Sequence, residues 1–326
     1  MEITQATLES DTPGQSFSLR IYRFRGTGSG PSVYMQAALH AHEIPGMVAL
    51  DRLIPRLEKA EKDGRLLSDI TLVPHANPVG LAQALNGETL GRFDFNSRVN
   101  FNRSFPSGPP ESRVGRAADD RLKAMLLSMA TAADTVLDLH CDDEGPVYLY
   151  VAEQRLDEGK RLARCVEAEV ILFDSGDHSV SFDTEVAARW KSQNRPNDMR
   201  FATTIEYRGM RDVSHEFAEN DATGLYRYLC EIGAVGDSMP PSDTSEPVTG
   251  HADEAELLST PVPGAVLYDV TVGERVVAGQ RLAVIQPEPG SEPFDLRAPF
   301  DGLVMTRRNL RFIRRGDYVL KVLRTG

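Results

Sequence analysis

A short apolar run that ends in a polar cluster is the most informative hydrophobic pattern in the chain. Residues 33–39 are mostly apolar, and His40, His42 and Glu43 follow directly. Pro45 then opens an amphipathic segment, MVALDRLIPRL, with the apolar spacing of a helix. Proline is well tolerated in the first turn of a helix, because its missing N–H would have no partner there. The pattern therefore predicts a strand, a polar loop and a helix.

Alternating strand and helix patterns continue to about residue 232. Further strands are predicted over 70–74, 134–140, 146–151, 171–173 and 201–206, and helices over 117–132, 153–169, 182–190 and 221–232. Upstream, residues 16–24 alternate between apolar and polar, which predicts a half-exposed strand at the edge of a sheet. Strands that alternate with helices indicate an α/β fold, with a mostly parallel or mixed sheet flanked by helices on both faces.

The pattern changes near residue 238, which we take as the end of a first domain, 1–238. Residues 239–256 are rich in Pro, Ser and acidic residues and lack periodicity, so they predict a linker or a surface loop. Residues 257–326 contain short apolar runs broken by Gly and Pro, which predicts a small all-β domain, a barrel or a sandwich. A weak internal repeat that begins at Pro263 and again at Phe300 indicates two related hairpin units.

The composition narrows the function classes. The chain has 326 residues, of which 41% are hydrophobic, and its formal net charge of −12 disfavours nucleic-acid binding. Three widely spaced cysteines, Cys141, Cys165 and Cys230, predict neither a disulfide framework nor a cysteine-based zinc site. The sequence shows no signal-peptide pattern and no apolar run near the about 20 residues of a membrane span. We expect a cytoplasmic protein without nucleic-acid or membrane partners, and a homo-oligomer is compatible with the sequence.

Three of the predicted strands end in residues that could bind a metal. His40 and Glu43 follow the first, His140 ends the DLH strand, and Glu206 ends the FATTIE strand. Carboxyl ends of parallel strands share one edge of a sheet, so we expect these side chains to lie together. Two histidines and one carboxylate leave the fourth zinc position open for water, which is typical of catalytic zinc. We therefore predict one zinc ion per chain on His40, Glu43 and His140.

The remaining carboxylate, Glu206, is the predicted general base, which accepts a proton from water and passes it to the leaving amine. Asp138 or Asp142 is the predicted partner that orients His140. Each of these residues has an ordinary structural alternative. A histidine at a strand end is more often a hydrogen-bonded, partly buried residue than a ligand, and His42 competes with His40 for the ligand role. The joint order of the residues carries the prediction.

That order resembles the succinylglutamate desuccinylase/aspartoacylase family, whose members are relatives of the zinc carboxypeptidases. The resemblance covers residues 30–235, and its motifs are His40-x-x-Glu43, Asn77-Pro78, NFNRSFP from Asn100, DLH ending at His140 and TIE ending at Glu206. It implies a zinc-carboxypeptidase-like fold and the metal and base assignments given above. It also implies that Asn102 and Arg103 bind a substrate carboxylate, for which a planar guanidinium is well suited.

The resemblance further implies an arginine that stabilises the developing oxyanion. Arg92 and Arg98 both qualify, and the sequence context of Arg92 fits the family better. The implied reaction is hydrolysis of the amide bond of a small N-acylated amino acid, giving a carboxylic acid and a free amine. The acyl group and the amino acid stay open, since members differ in both and a related group cleaves N-acetyl-diaminobutyrate. Arg208 and Arg211 would add positive charge for an acidic substrate, unless they pair with Asp212 or Glu216.

Two other function classes stay open at this stage. One is a zinc carboxypeptidase that acts on small peptides. The other is a non-catalytic binding or carrier protein, because the C-terminal region resembles biotinyl- and lipoyl-type β domains. Those domains modify a lysine at a hairpin tip, whereas Lys321, the only lysine after the linker, lies in the last strand pattern. Five arginines make the same region locally basic, and we expect them to lie on a solvated face or to pair with the acidic first domain.

Overall fold

The apolar run before His40 forms an inner strand of a large mixed sheet. The computed structural model describes residues 1–106, 116–175, 180–193, 200–240, 242 and 245–325. The first eleven strands in chain order are β1 (Glu2–Glu9), β2 (Ser16–Phe24), β3 (Val33–Ala37), β4 (Ile70–Val73), β5 (Ala84–Leu85), β6 (Glu88–Thr89), β7 (Thr135–Asp142), β8 (Val147–Ala152), β9 (Val170–Asp174), β10 (Phe201–Gly209) and β11 (Val248–His251). β5 and β6 pair as a separate hairpin, and the other nine form the sheet in the order β1-β2-β4-β3-β7-β10-β8-β9-β11.

The centre of this sheet has the strand directions that the sequence predicts. β3 pairs in parallel with β4 and β7, and β7 pairs in parallel with β10. β8 is antiparallel to β10, and β1 and β2 form an antiparallel extension at one end. The predicted α/β fold with a mixed sheet is therefore confirmed. The predicted edge position of β2 is wrong, because β1 pairs along its whole outer side.

Helices cover both faces of the sheet. They are α1 (Pro45–Lys62), α2 (Pro78–Leu81), α3 (Ala118–Ala130), α4 (Leu156–Val166), α5 (Phe182–Ser192) and α6 (His215–Glu231). α1, α4 and α6 bury their apolar sides in one core cluster, and α3 and α5 bury theirs in a second. Within the described residues, no helix has the length and apolar character that a membrane span needs.

Two elements depart from the predicted boundaries. α6 begins at His215, six positions before the predicted start, and the side chain of Ser214 caps it by accepting a hydrogen bond from the Phe217 N–H. The predicted linker, 239–256, contains β11, which pairs in parallel with β9 and so extends the large sheet. The prediction that this segment is irregular throughout is therefore wrong. The division of the chain into domains stays a prediction.

The C-terminal residues form two antiparallel sheets, as predicted for an all-β region. Their strands are β12 (Ala255–Ser259), β13 (Gly264–Tyr268), β14 (Arg275–Val276), β15 (Arg281–Gln286), β16 (Phe294–Arg297), β17 (Gly302–Arg307), β18 (Phe312–Ile313) and β19 (Tyr318–Arg324). One sheet has the order β12-β19-β17-β14 and the other β16-β15-β13-β18. Leu303, Met305 and Leu323 of this region pack against Tyr148 and Leu172 of the large sheet.

Three consecutive acidic residues that follow β7's buried part are each bound by the C-terminal sheets. Lys321 Nζ lies 3.3 Å from Asp142 Oδ2, and the Tyr318 hydroxyl donates to Asp143. Glu144 forms ion pairs with two arginines: its Oε2 lies 2.8 Å from Arg307 Nη2, and it also pairs with Arg311. These contacts bear out the expectation that part of the basic tail pairs with the acidic first domain.

One glycine holds the start of α1 against β7, so a substitution there tests the packing that positions the site. A Cβ built on Gly46 would lie 2.6 Å from Leu139 Cβ and 3.2 Å from Ala37 Cβ. We expect Gly46→Ala to lower the free energy of unfolding by about 1–2 kcal/mol, because overpacking outweighs the gain in helix propensity. Gly145→Ala is the control, since its Cβ would meet nothing closer than 3.4 Å. Urea unfolding of both variants measures the difference, and equal stabilities would contradict it.

Candidate active site

Three side chains from two neighbouring strand ends form a His-Glu-His cluster: His40, Glu43 and His140. His40 follows β3 after Ala38, whose φ of 57° turns the chain out of the sheet, and Glu43 lies just before α1. His140 lies on β7, next to β3. All three are at least 96% buried, and one ligand atom from each lies within 4.8 Å of the others. Because the carboxyl ends of parallel β3 and β7 lie at the same edge of the sheet, residues about 100 positions apart in sequence meet there.

Glu43 lies at the centre of the cluster and bonds both histidines. Its Oε1 is 2.9 Å from His40 Nδ1, and its Oε2 is 2.7 Å from His140 Nδ1. Burial raises the pKa of the Glu43 carboxyl. The two histidines lower this pKa by more than burial raises it, so it lies well below its usual value. Both Nδ1 atoms therefore face an ionised carboxylate, and the three donor groups converge on one point.

The other ring nitrogen of each histidine has its own acceptor. Asp138 Oδ2 lies 2.9 Å from His140 Nε2, and Asn100 Oδ1 lies 2.8 Å from His40 Nε2. Of the two predicted partners of His140, the structure places Asp138 there. The role of Asn100 was missed by the sequence analysis. An acceptor on Nε2 holds each ring with Nδ1 free to bind a metal, which is the usual arrangement around metal-binding histidines.

Glu206 lies beside this cluster on β10, directly opposite His140 in the strand register. Its Oε2 is buried and has no hydrogen-bond partner among the described residues. Burial raises the pKa of the Glu206 carboxyl to about 8, and the nearby Glu43 and Asp142 add to the effect. A buried carboxylate oxygen without a partner is costly in a purely structural role, and it suits a group that exchanges a proton with a ligand.

A tight turn places Arg92 and Asn100 at the same cluster. Asp94 accepts hydrogen bonds from the N–H groups of Asn96 and Ser97, and the Phe101 N–H donates to the Arg92 carbonyl. Arg92 Nη1 thereby reaches to 3.0 Å from Glu43 Oε1. The loop lies close to the His40 loop at Gly91, where any Cβ would lie 2.5 Å from Ala41 Cβ. Arg98, the alternative to Arg92, is exposed and lines neither of the cavities described below.

Comparisons with known proteins identify the family of this chain. The succinylglutamate desuccinylase/aspartoacylase catalytic domain matches residues 29–232. The chain belongs to this family. Its sequence is 25% identical over 303 residues to an N-alpha-acetyl-L-2,4-diaminobutyric acid deacetylase of Halomonas elongata, with 90% of this chain and 82% of the relative covered.

Solved structures have the same fold over nearly the whole chain. A family protein of Shewanella amazonensis has a TM-score of 0.87 at 27% identity and covers 99% of this chain and 98% of its own. The ectoine utilization protein EutE of Ruegeria pomeroyi has a TM-score of 0.75 at 19% identity and covers 99% and 94%. Both matches include the C-terminal sheets, so the two-part architecture is shared with these relatives.

In this family member, the His-Glu-His cluster opens into a polar pocket of about 340 Å³. Arg103 lines the pocket; burial lowers the pKa of its guanidinium, and the positive charge of Arg92 lowers it further. Asn102 lies between the pocket and α5: its Oδ1 accepts from the Phe182 N–H at 2.7 Å, and its Nδ2 lies 3.4 Å from His140 Nε2. Asn102 therefore has a clear structural task, and only its amide nitrogen remains for a ligand.

Other predicted contributors lie elsewhere. His42 is half-buried, its ring centroid is 6.4 Å from that of His40, and it lies outside the cluster. Arg208 pairs with Asp221 rather than with Asp212 or Glu216. Lys321, weighed only as a carrier lysine, is buried in the pocket wall, with Nζ 3.3 Å from the Tyr148 hydroxyl. Its separation of 173 residues from Tyr148 explains why no sequence pattern indicated this contact.

The raised pKa of Glu206 predicts a pH-dependent stability in metal-free protein. A folded-state pKa of about 8 means that the native state keeps a proton that the unfolded state releases near 4.5. Stability therefore falls as pH rises from about 4.5 to 8. Glu206→Gln removes this loss, so in a chelator we expect it to exceed the wild type by about 1–3 kcal/mol at pH 8, and by little at pH 4.5. Glu216→Gln, at an exposed site, is the control, and a pH-independent gain would contradict the assignment.

Proposed function

We propose that this chain is a zinc-dependent deacylase that hydrolyses the amide bond of a small N-acylated amino acid. The products are a carboxylic acid and a free amine. The observation that carries the proposal is the convergence of His40, Glu43, His140 and Glu206 in one pocket with Arg103, where Glu206 Oε2 has no hydrogen-bond partner among the described residues. Membership of the succinylglutamate desuccinylase/aspartoacylase family supports the reaction class.

The cluster fits a zinc ion in both composition and orientation. Two imidazole nitrogens and a carboxylate are a common ligand set of catalytic zinc. Both Nδ1 atoms point to the shared centre, because Asp138 and Asn100 hold the opposite ring nitrogens. A bound zinc ion would supply Lewis-acid chemistry at the scissile carbonyl.

The protein side chains supply the remaining tasks. Glu206 takes the proton of the attacking water and delivers it to the leaving amine. Arg92, half-exposed at the pocket mouth, is placed to stabilise negative charge on the carbonyl oxygen. Arg103, with Asn102 at its side, binds the substrate carboxylate in the polar pocket.

The curated relative narrows the first substrates to test. That protein is named for the deacetylation of N-alpha-acetyl-L-2,4-diaminobutyric acid, and the family name refers to succinylglutamate and to aspartate derivatives. A peptide substrate of a carboxypeptidase is the second candidate, since the fold is related. Activity on N-acyl amino acids but not on dipeptides separates the two.

Asp138 is expected to control metal affinity without binding the metal. Its two oxygens receive His140 Nε2 and, at 3.0 Å, Gln36 Nε2, and Gln36 is itself held by the Tyr34 hydroxyl. An asparagine satisfies only one of these donors, so Asp138→Asn should weaken zinc affinity about 10- to 100-fold. Competition with a chromogenic chelator measures the affinity. Asp143→Asn, which leaves an oxygen acceptor for Tyr318, should change the zinc affinity less than twofold. Equal losses of affinity in both variants would contradict the role of Asp138.

The proposal as a whole is tested by zinc content together with amine release. Wild type should hold about one zinc per chain and hydrolyse at least one member of a panel of N-acetyl and N-succinyl derivatives of aspartate, glutamate and 2,4-diaminobutyrate. Glu206→Gln should keep its zinc and lose about 10²- to 10⁴-fold in kcat, because it cannot transfer the proton. Glu216→Gln is the exposed control. Wild-type protein that binds no zinc would overturn the proposal, and so would zinc-loaded protein that releases amine from no N-acyl amino acid tested, whatever the length of the acyl chain.

A further inference from the structure

A second cavity adjoins the polar pocket at the His-Glu-His cluster. We call it the apolar groove, and its volume is about 930 Å³, compared with about 340 Å³ for the polar pocket. Glu43 and Arg92 line both cavities, so the two cavities join at the cluster. The proposed function uses only the polar pocket and leaves the larger cavity without a task.

The walls of this groove carry large apolar side chains that stay exposed. They are Leu81, Leu90, Phe93, Phe95 and Leu310, and the partly buried Met210 also lines the groove. Phe93, Phe95 and Leu310 are 50%, 52% and 53% exposed, although Phe101 of the same phenylalanine-rich loop is fully buried. The groove residues come from the loop after α2, from the end of β10 and from the C-terminal sheets, so three distant segments present apolar surface to one space. Apolar patches of this kind on a soluble fold usually mark a binding surface.

We propose that the apolar groove binds an extended apolar acyl chain, so that the substrate is an amino acid acylated with a medium- or long-chain fatty acid. This inference rests on the proposed deacylase function. An N-acylated amino acid has a charged end and an acyl end on either side of the amide. Arg103 holds the charged end in the polar pocket, which directs the acyl end to the other cavity that opens at Glu43 and Arg92. An acetyl group would leave almost the whole groove in contact with water.

The test is a series of acyl-chain lengths on each of three amino acids. N-acetyl, N-butanoyl, N-hexanoyl and N-octanoyl derivatives of aspartate, glutamate and 2,4-diaminobutyrate are compared by kcat/KM. Full burial of a methylene is worth about fourfold in binding. For a groove open on one side we expect about twofold per methylene, so the octanoyl derivative should exceed the acetyl derivative at least tenfold. A flat or falling series in an active enzyme would overturn the groove assignment and leave the deacylase function standing.

A matched pair of variants locates the effect in the groove. Phe95→Ser removes an aromatic wall, and we expect the octanoyl-to-acetyl ratio of kcat/KM to fall at least fivefold. Phe312→Ser is the control, because Phe312 is 72% exposed and does not line the groove. Its ratio should match the wild type. An unchanged ratio in Phe95→Ser, or an equal fall in both variants, would overturn the proposal.

Two further measurements separate this inference from its alternatives. The first is calorimetric binding to zinc-loaded Glu206→Gln, which does not depend on turnover. Tighter binding of the N-octanoyl than of the N-acetyl amino acid supports the groove even if no hydrolysis is found, and the Glu206→Gln/Phe95→Ser double variant should weaken this preference. Equal affinities would overturn the proposal.

Light scattering tests the other occupant, a second copy of this chain. A wild-type dimer that Phe95→Ser converts to a monomer, with an unchanged chain-length ratio, would assign the groove to an interface.

Discussion

The buried carboxylate of Glu43 is the group on which the rest of the site depends. An ionised carboxylate that is 2% exposed is costly to bury unless its oxygens are compensated. Here Oε1 receives His40 and Arg92, while Oε2 receives His140 and, at 3.4 Å, the Cys141 N–H. These partners come from β7 and from two loops, so the charge can be accommodated only when the sheet edge, the start of α1 and the Arg92 turn are all in place. A divalent cation at the same point would provide the compensation more fully.

The same site shifts the pKa values of its two carboxyl groups, Glu43 and Glu206, in opposite directions. Glu43 lies between cationic or hydrogen-bonding partners, which keep its pKa low. Glu206 is partly buried, and its buried Oε2 has no hydrogen-bond partner among the described residues, so the effect of burial dominates and its pKa rises to about 8. Neighbouring positions of one sheet edge thus give the same type of side chain a lowered pKa in one case and a raised pKa in the other.

The sequence alone predicted the parts of the site that follow from local pattern and sheet geometry. His40, Glu43, His140 and Glu206 each follow or end a strongly apolar strand, so the shared edge of parallel strands was enough to bring them together. Asn100 was missed because its contact with His40 depends on a turn closed by Asp94, which no periodicity records. β1 was missed because this edge strand buries only Leu8 and so lacks a clear apolar alternation.

The bonds between the acidic residues after His140 and the C-terminal sheets have a consequence for biosynthesis. The His-Glu-His cluster and Glu206 are complete once about two-thirds of the chain has been made. The ammonium group that closes the pocket wall beside Asp142 arrives 179 residues after its partner, on the last strand. Because domains generally fold as they emerge from the ribosome, a nascent or truncated chain can assemble the His-Glu-His cluster while its pocket is still open on one side. Completion of the C-terminal sheets then becomes the step that closes the pocket wall around the cluster.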